Sequence, residues 1–396
     1  MNEIDNLIKN AMESGGNKTL LRQHFESRLE FLGISLNQFC EGYEMAFRSI
    51  NSILDGNFKY LDPICLLKLA NFLKTTSDEI LKECVYYMPA NTQIQLDDSK
   101  KRTYILDNFN LPGLKKDGVI STIKDFGHIE KCILRTFGLK DIYEYSELDK
   151  SYGLFSSLKY KLKDGRQKKG FKNKAIKICS YINNSNVYEQ EKLKLLFPTI
   201  RAYSLDLETG LLKLIKELYK IGITVVLHPS LSFSGSRGLT IQSNGKPSII
   251  LTDIGKKYST LWFALLHELY HVIFDWQDIL EGRLHVTDEE DLNTEKEIKA
   301  NEFAREYMFP HKRMEEVTNK INDPIAVKDF AIQSQVHYSI IYDNYCFDNP
   351  DKYSLYSRFI RVPWQRLEKS LLGSLSHSNS PEDYAKYYQS NIFTNS

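Results

Sequence analysis

Two histidines stand four residues apart, with a glutamate directly after the first, in His267-Glu268-Leu269-Tyr270-His271. On an α-helix, residues i and i+4 lie one above the other, so both imidazoles reach a single ion. Glu268 is turned by about 100° from His267 and can sit beside the ion without ligating it. In this arrangement two histidines hold Zn2+ and the intervening glutamate acts as base on a water. A catalytic zinc usually takes three protein ligands. The next helix offers Glu295, Glu297, Glu302 and Glu306. Its apolar stripe is Ala300, Phe303, Ala304, Tyr307 and Met308, spaced i, i+3, i+4, i+7, i+8. Glu297 falls on that stripe, while Glu295, Glu302 and Glu306 share the opposite face. Glu297 is the expected third ligand. Asn301, one turn later, is placed to orient a ligating histidine. The remaining histidines (His24, His128, His228, His285, His311, His337 and His377) lack such spacing and read as surface or satisfied core groups.

The elements that must position this set are legible nearby. GITVVLH (222–228) is a compact β-branched run, and GLTIQ (238–242) and PSIIL (247–251) flank Asn244-Gly245, a strong hairpin signal. A nearly all-apolar helix is expected from Tyr258 to Phe274, with Ser259 or Thr260 as its cap. Being apolar all round, it should be buried, so its two histidines and glutamate need partners. An acidic connection, TDEEDLNTE (287–295), leads to the Glu297 helix, which should end near Met308 before Pro310. The acidic stretch could serve as a flap. Tyr307 and His285 are the candidates for an oxyanion-stabilising donor. The tail after Ser376 is expected to fray.

The chain has 396 residues, enough for two or three domains. Apolar residues at 42% and charged residues at 26% are ordinary globular proportions, which excludes a low-complexity or collagenous protein. The 52 basic and 51 acidic side chains nearly cancel, which excludes nucleic-acid binding by bulk charge and leaves room only for a local patch. Apolar runs such as Leu261 to Leu266 fall far short of the ~20 residues that span a bilayer, so no membrane role is expected. The start, MNEIDNLIKN, has no signal-peptide pattern. Six scattered cysteines without a CxxC pair read as reduced thiols in the cytoplasm.

HExxH followed by Glu297-Ile-Lys-Ala300-Asn301-Glu-Phe303-Ala304-Arg-Glu-Tyr-Met308-Phe-Pro310 resembles the ImmA/IrrE metallopeptidases. The likeness runs upstream through the strand at Gly222 and the hairpin, and downstream through VKDFAIQSQVHYSIIYDNY (327–345). It implies a zincin-like α+β domain with His267, His271 and Glu297 as ligands, a gluzincin-like set, and Glu268 as base.

A second pattern starts at Ser35. SLNQFCEGYEMAFRSINSILDG fits a helix–turn–helix with a scaffold helix (35–42), a recognition helix (46–54) and a stop at Gly56. Phe39, Met45, Ile50 and Ile53 would pack inward. Ala46, Phe47, Arg48, Ser49, Asn51 and Ser52 would project toward a major groove, and Lys59, Lys68 and Lys74 could meet phosphates. With LLKLANFLKTTSDEIL (66–81) this resembles an XRE/Cro-type domain. Three positions depart from the pattern: Phe39-Cys40 replaces the usual Leu-Ala pair, Ala46 stands at the N-cap, and Leu54 replaces a common glutamate. KLKDGRQKKGFKNK (161–174), with seven basic residues, reads as a solvated linker face.

The expected fold is mainly α with a small β-sheet. It has an XRE-type domain (1–95), a helical spacer (96–200), a zincin-like metallopeptidase domain (201–330) and a C-terminal helical extension (331–396). The combination, together with FPTIRAYS (197–204), resembles long HigA-type antidote proteins. The resemblance implies a transcriptional regulator with a zinc-dependent endopeptidase domain. It would bind double-stranded operator DNA, commonly as a homodimer, and cut a protein substrate, a repressor or toxin from a neighbouring gene, in a stress or phage-response circuit. The alternative is a HigA-like antitoxin or repressor that works by DNA and toxin binding alone. An intact Glu268 favours chemistry, since a structural site needs no base.

Overall fold

The computed structural model describes residues 19–56, 62–86, 90–147, 153–157, 166–230, 232, 236–281 and 290–394. Lys59, His285 and residues 287–289 of the acidic connection lie outside them; the rest of that connection, 290–295, is corrected from a loop to the first turns of the helix that carries Glu297. The chain forms two compact units, 1–103 and 104–396. It is mainly helical, with one small mixed sheet.

The first unit contains α1 (Leu20–Leu32), α2 (Leu36–Gly42), α3 (Phe47–Leu54), α4 (Pro63–Leu73) and α5 (Ser77–Tyr86). Their starts follow local chemistry. The Thr19 hydroxyl accepts the Arg22 N–H, Ser35 and Gln38 form a reciprocal capping box, and Asp62 caps α4 just before Pro63. Phe39, Met45, Ile50 and Ile53 all lie in the core, where Phe39 packs on Phe25 and Phe72 at ring distances of 4.9 and 4.5 Å. Gly56 ends α3 with φ 71°, a left-handed conformation that suits glycine.

The helix α6 (Ala90–Asn108) runs into the second unit, where α7 (Phe126–Phe137) follows. Then come β1 (Gly153–Ser157), α8 (Arg166–Ile182), α9 (Gln190–Ile200), α10 (Gly210–Lys220) and β2 (Thr224–His228). β3 (Ser236–Ser243) and β4 (Lys246–Thr252) form the hairpin, closed by Asn244 and Gly245, whose φ values of 51° and 73° match a type I′ turn. The sheet order is β1-β3-β4-β2, with β2 parallel to β4 and the other pairs antiparallel. β1 was not foreseen; its Gly-Leu-Phe-Ser-Ser sequence carries little strand signal.

α11 (Tyr258–Phe274) lies against β3, β4, β1 and α12 (Glu290–Met308). Trp262, Leu265, Leu266 and Leu269 are fully buried in the main core. Its expected cap is corrected. The helix starts behind Lys257 with no side-chain cap, and Ser259 instead donates to Asp343 Oδ2 at 2.6 Å. The expectation of a frayed tail is corrected too. α13 (Pro381–Tyr387) is ordered behind a Ser380–Asp383 capping box, and Tyr384, Tyr388, Ile392 and Phe393 join the core. The Tyr388 hydroxyl accepts the Leu227 N–H at 2.8 Å and lies 3.3 Å from the Leu227 carbonyl, which seals the outer edge of β2. Nor is the basic segment wholly a solvated face. Lys174 is buried and its ammonium donates to the His377 carbonyl at 2.7 Å; burial pulls its pKa down to about 7. Among the described residues no helix is long and apolar enough to cross a membrane.

Candidate metal centre

The helical period brings His267 and His271 onto one face of α11, where their Nε2 atoms stand 3.2 Å apart. From α12, Glu297 places its two oxygens 3.3 Å from His267 Nε2 and 3.5 Å from His271 Nε2. The outer ring nitrogens are engaged. His267 Nδ1 donates to Asn301 Oδ1 at 3.1 Å, and His271 Nδ1 donates to Asp275 Oδ2 at 2.8 Å. Each such bond fixes a tautomer in which Nε2 keeps its lone pair for an ion. Zinc bonds of about 2.0–2.1 Å set ligand atoms of a tetrahedral site about 3.3–3.4 Å apart. The three observed separations bracket that spacing. The donor set of two imidazoles and one carboxylate therefore fits a zinc-like ion, and the three residues could hold one.

The electrostatics agree. Burial works against the charge on His271, but the carboxylates of Asp275 and Glu297 outweigh it and raise the ring to about 9. Burial likewise opposes ionisation of Glu297, and hydrogen bonds from the two histidines override it, pulling the carboxyl down to about 2. Two carboxylates, Asp275 and Glu297, thus converge on the two imidazoles, and a proton or a cation belongs between them. Asp275 is itself held by Lys296, 3.3 Å away.

Glu268 is fully buried and burial raises its pKa, partly offset by the imidazoles. Its Oε2 accepts the Thr240 hydroxyl at 2.6 Å, and its Oε1 has no hydrogen-bond partner. A buried carboxylate oxygen left bare is costly unless something uses it. Gly238 makes the room: a Cβ there would stand 2.5 Å from Oε1. Beside it, Arg237 lies over the Phe263 ring at 5.7 Å, and its Nε is buried without a partner.

Sequence reasoning missed Gly238, Thr240 and Asp275. Asp275 was within reach, because it follows His271 by one helical turn. Of the two guessed oxyanion donors, His285 lies outside the described residues, and the Tyr307 hydroxyl donates to the Phe197 carbonyl. In the first unit Ala46 precedes α3 without capping it, Phe47 and Arg48 are exposed, and Ser49 and Ser52 are half-buried. The Asn51 amide is engaged at both ends, accepting from Arg22 at 2.8 Å and donating to the Phe47 carbonyl at 3.0 Å.

A helix carrying HExxH, laid across a small mixed sheet and completed by a glutamate from the next helix, is the architecture of a metallopeptidase-type domain. Residues 220–341 match the family model Peptidase_M78, described as the IrrE N-terminal-like domain. The match supports the ImmA/IrrE likeness over that stretch and a peptidase-type function there. It does not extend to the N-terminal unit. No curated protein and no solved structure matches the chain.

Proposed function

We propose that this protein is a DNA-binding regulator whose second unit is a zinc-dependent endopeptidase acting on a partner regulator. The observation that carries the enzymatic half is Glu268. A site built only to hold an ion needs His267, His271 and Glu297, yet a fourth residue, the buried carboxylate of Glu268, stands beside them with one oxygen bare. A bound zinc would acidify a water and polarise a peptide carbonyl. His267, His271 and Glu297 would hold it, with Asn301 and Asp275 fixing the ring orientations. Glu268 Oε1 would take the proton of the attacking water and return it to the leaving amine, while Thr240 anchors Oε2 so that the bare oxygen stays aimed. Arg48 on α3, exposed beside Phe47, supports the DNA-binding half.

The test is a pair of glutamate variants. Glu268→Gln should keep its zinc and fold but lose ~10²–10⁴ in cleavage rate against the neighbouring-gene protein. Glu297→Gln should lose zinc instead. If Glu268→Gln releases target-gene expression in cells as well as the unsubstituted protein does, proteolysis is not its mode of action, and the binding-only antitoxin reading replaces it.

A further inference from the structure

β3 is the strand that touches the candidate site, with Gly238 under Glu268 Oε1 and Thr240 bonded to Oε2. One side of β3 pairs with β4 and the other with β1. β1 runs antiparallel, with Leu154 opposite Thr240, Phe155 opposite Leu239 and Ser156 opposite Gly238. It thus crosses β3 at the very residues that hold Glu268, and it also packs against α11, the helix of the two histidines.

A peptide must lie extended to offer a backbone carbonyl for attack, and a free sheet edge is the general device for gripping an extended chain. The far edge of the sheet is unsuited. β2 is separated from β3 by β4, and the Leu227 N–H and carbonyl are taken by Tyr388. The edge beside Glu268 is the outer side of β3, and the chain's own β1 fills it. β1 is built to be dislodged: it has five residues, including glycine and two serines that favour strands poorly, and its register slips between Ser156 and Ser157.

We propose that β1 occupies the place of an extended peptide substrate, so that substrate engagement is a strand exchange on β3. This rests on the peptidase reading above. It makes the resting protein self-occluded, and it makes any partner that draws β1 away an activator.

The test uses the zinc-loaded full chain and two probes. Acetohydroxamate needs only the metal, whereas a tripeptide hydroxamate also needs the strand edge. In wild-type protein, hydrogen exchange should show those amides of 154–156 that point toward β3 protected at rest and exposed once the tripeptide binds, while those of 238–241 stay protected. Alternate residues of an antiparallel strand donate to a given neighbour, and proline cannot donate, so one of Leu154→Pro and Phe155→Pro removes a bond to β3. That variant should bind the tripeptide about tenfold tighter, as expected when an occluded state giving under a tenth competent protein is relieved. Acetohydroxamate affinity should not change. Tripeptide binding with the β3-facing amides of 154–156 still protected would overturn the proposal, as would finding those same amides exposed at rest. Because the exchange experiment uses the unsubstituted chain, it decides the matter even if a proline variant fails to fold. Failure of both hydroxamates to bind would bring down the peptidase reading as well.

Discussion

Gly238→Ala puts one methyl group against Glu268, the proposed base. Its Cβ would stand 2.5 Å from Glu268 Oε1, 2.8 Å from Cγ and 2.9 Å from Cδ, so the carboxyl must retreat about 0.9 Å to reach an ordinary contact of 3.4 Å. Glu268 is fully buried, so the retreat displaces packed neighbours and strains the 2.6 Å bond to Thr240. Overpacking of this kind costs ~1–3 kcal/mol. Gly238 has no positive φ, so alanine also restricts the unfolded chain, which returns ~0.4–1 kcal/mol. The net loss should be ~1–2 kcal/mol in urea unfolding, with zinc content unchanged, since the clash reaches none of His267, His271 and Glu297. A shift approaching 1 Å in a catalytic group costs ~10²-fold, and cleavage of the neighbouring-gene protein, followed by intact mass, should slow by about that much. Gly245→Ala is the control. It sits at φ 73° in the hairpin with nothing within 4 Å, so it should cost ~1 kcal/mol of backbone strain and leave cleavage alone. If Gly238→Ala keeps its zinc and cleaves within threefold of wild type, Glu268 does not work from its seat against β3.

Four further outcomes are expected. In metal-free protein His271 titrates near 9 rather than its ordinary 6.5, so its contribution to stability is full below 6.5 and is lost as pH rises through 9; the urea midpoint of chelated protein should fall across that window. Zinc must displace that proton, so calorimetry at pH 7 in buffers of different ionisation heat should show about one proton released per ion, and none if His271 is not a ligand. Tyr388→Phe leaves the buried Leu227 N–H without its partner and should cost ~1–3 kcal/mol with zinc content intact; an unchanged urea midpoint would show that the edge of β2 needs no seal. Arg48→Ala should weaken binding to the protein's own promoter by ~1–3 kcal/mol in fluorescence anisotropy, and wild-type protein that shows no sequence preference there would remove the DNA half of the proposal.

What the sequence revealed was local. The span of α11, the I′ hairpin and the stop of α12 at Met308 all follow from periodicity and turn chemistry within a few residues. Glu297 could be picked because its neighbours on α12 form a stripe. Thr240 and Gly238 could not, because they meet Glu268 only through strand-on-helix packing across 28 and 30 positions of chain. β1 escaped for a related reason: its place is set by the free side of β3, not by its own residues. The tail misled through its polar composition, although Tyr384, Tyr388 and Ile392 repeat at helical spacing and in fact mark a buried face. Lys174 shows the converse, a residue in a basic run that folding buries.

The seal on β2 has a consequence for how the molecule comes into being. Leu227 waits for a residue made 161 positions later. By then the ribosome has already delivered His267, His271 and Glu297, so the whole candidate ligand set precedes the residue that engages the edge of β2. The three candidate ligands are therefore all synthesised before that seal can form. A chain that stops before Tyr388 leaves the Leu227 N–H and carbonyl without the hydroxyl that engages them, on an apolar strand edge of the kind open to pairing with another chain.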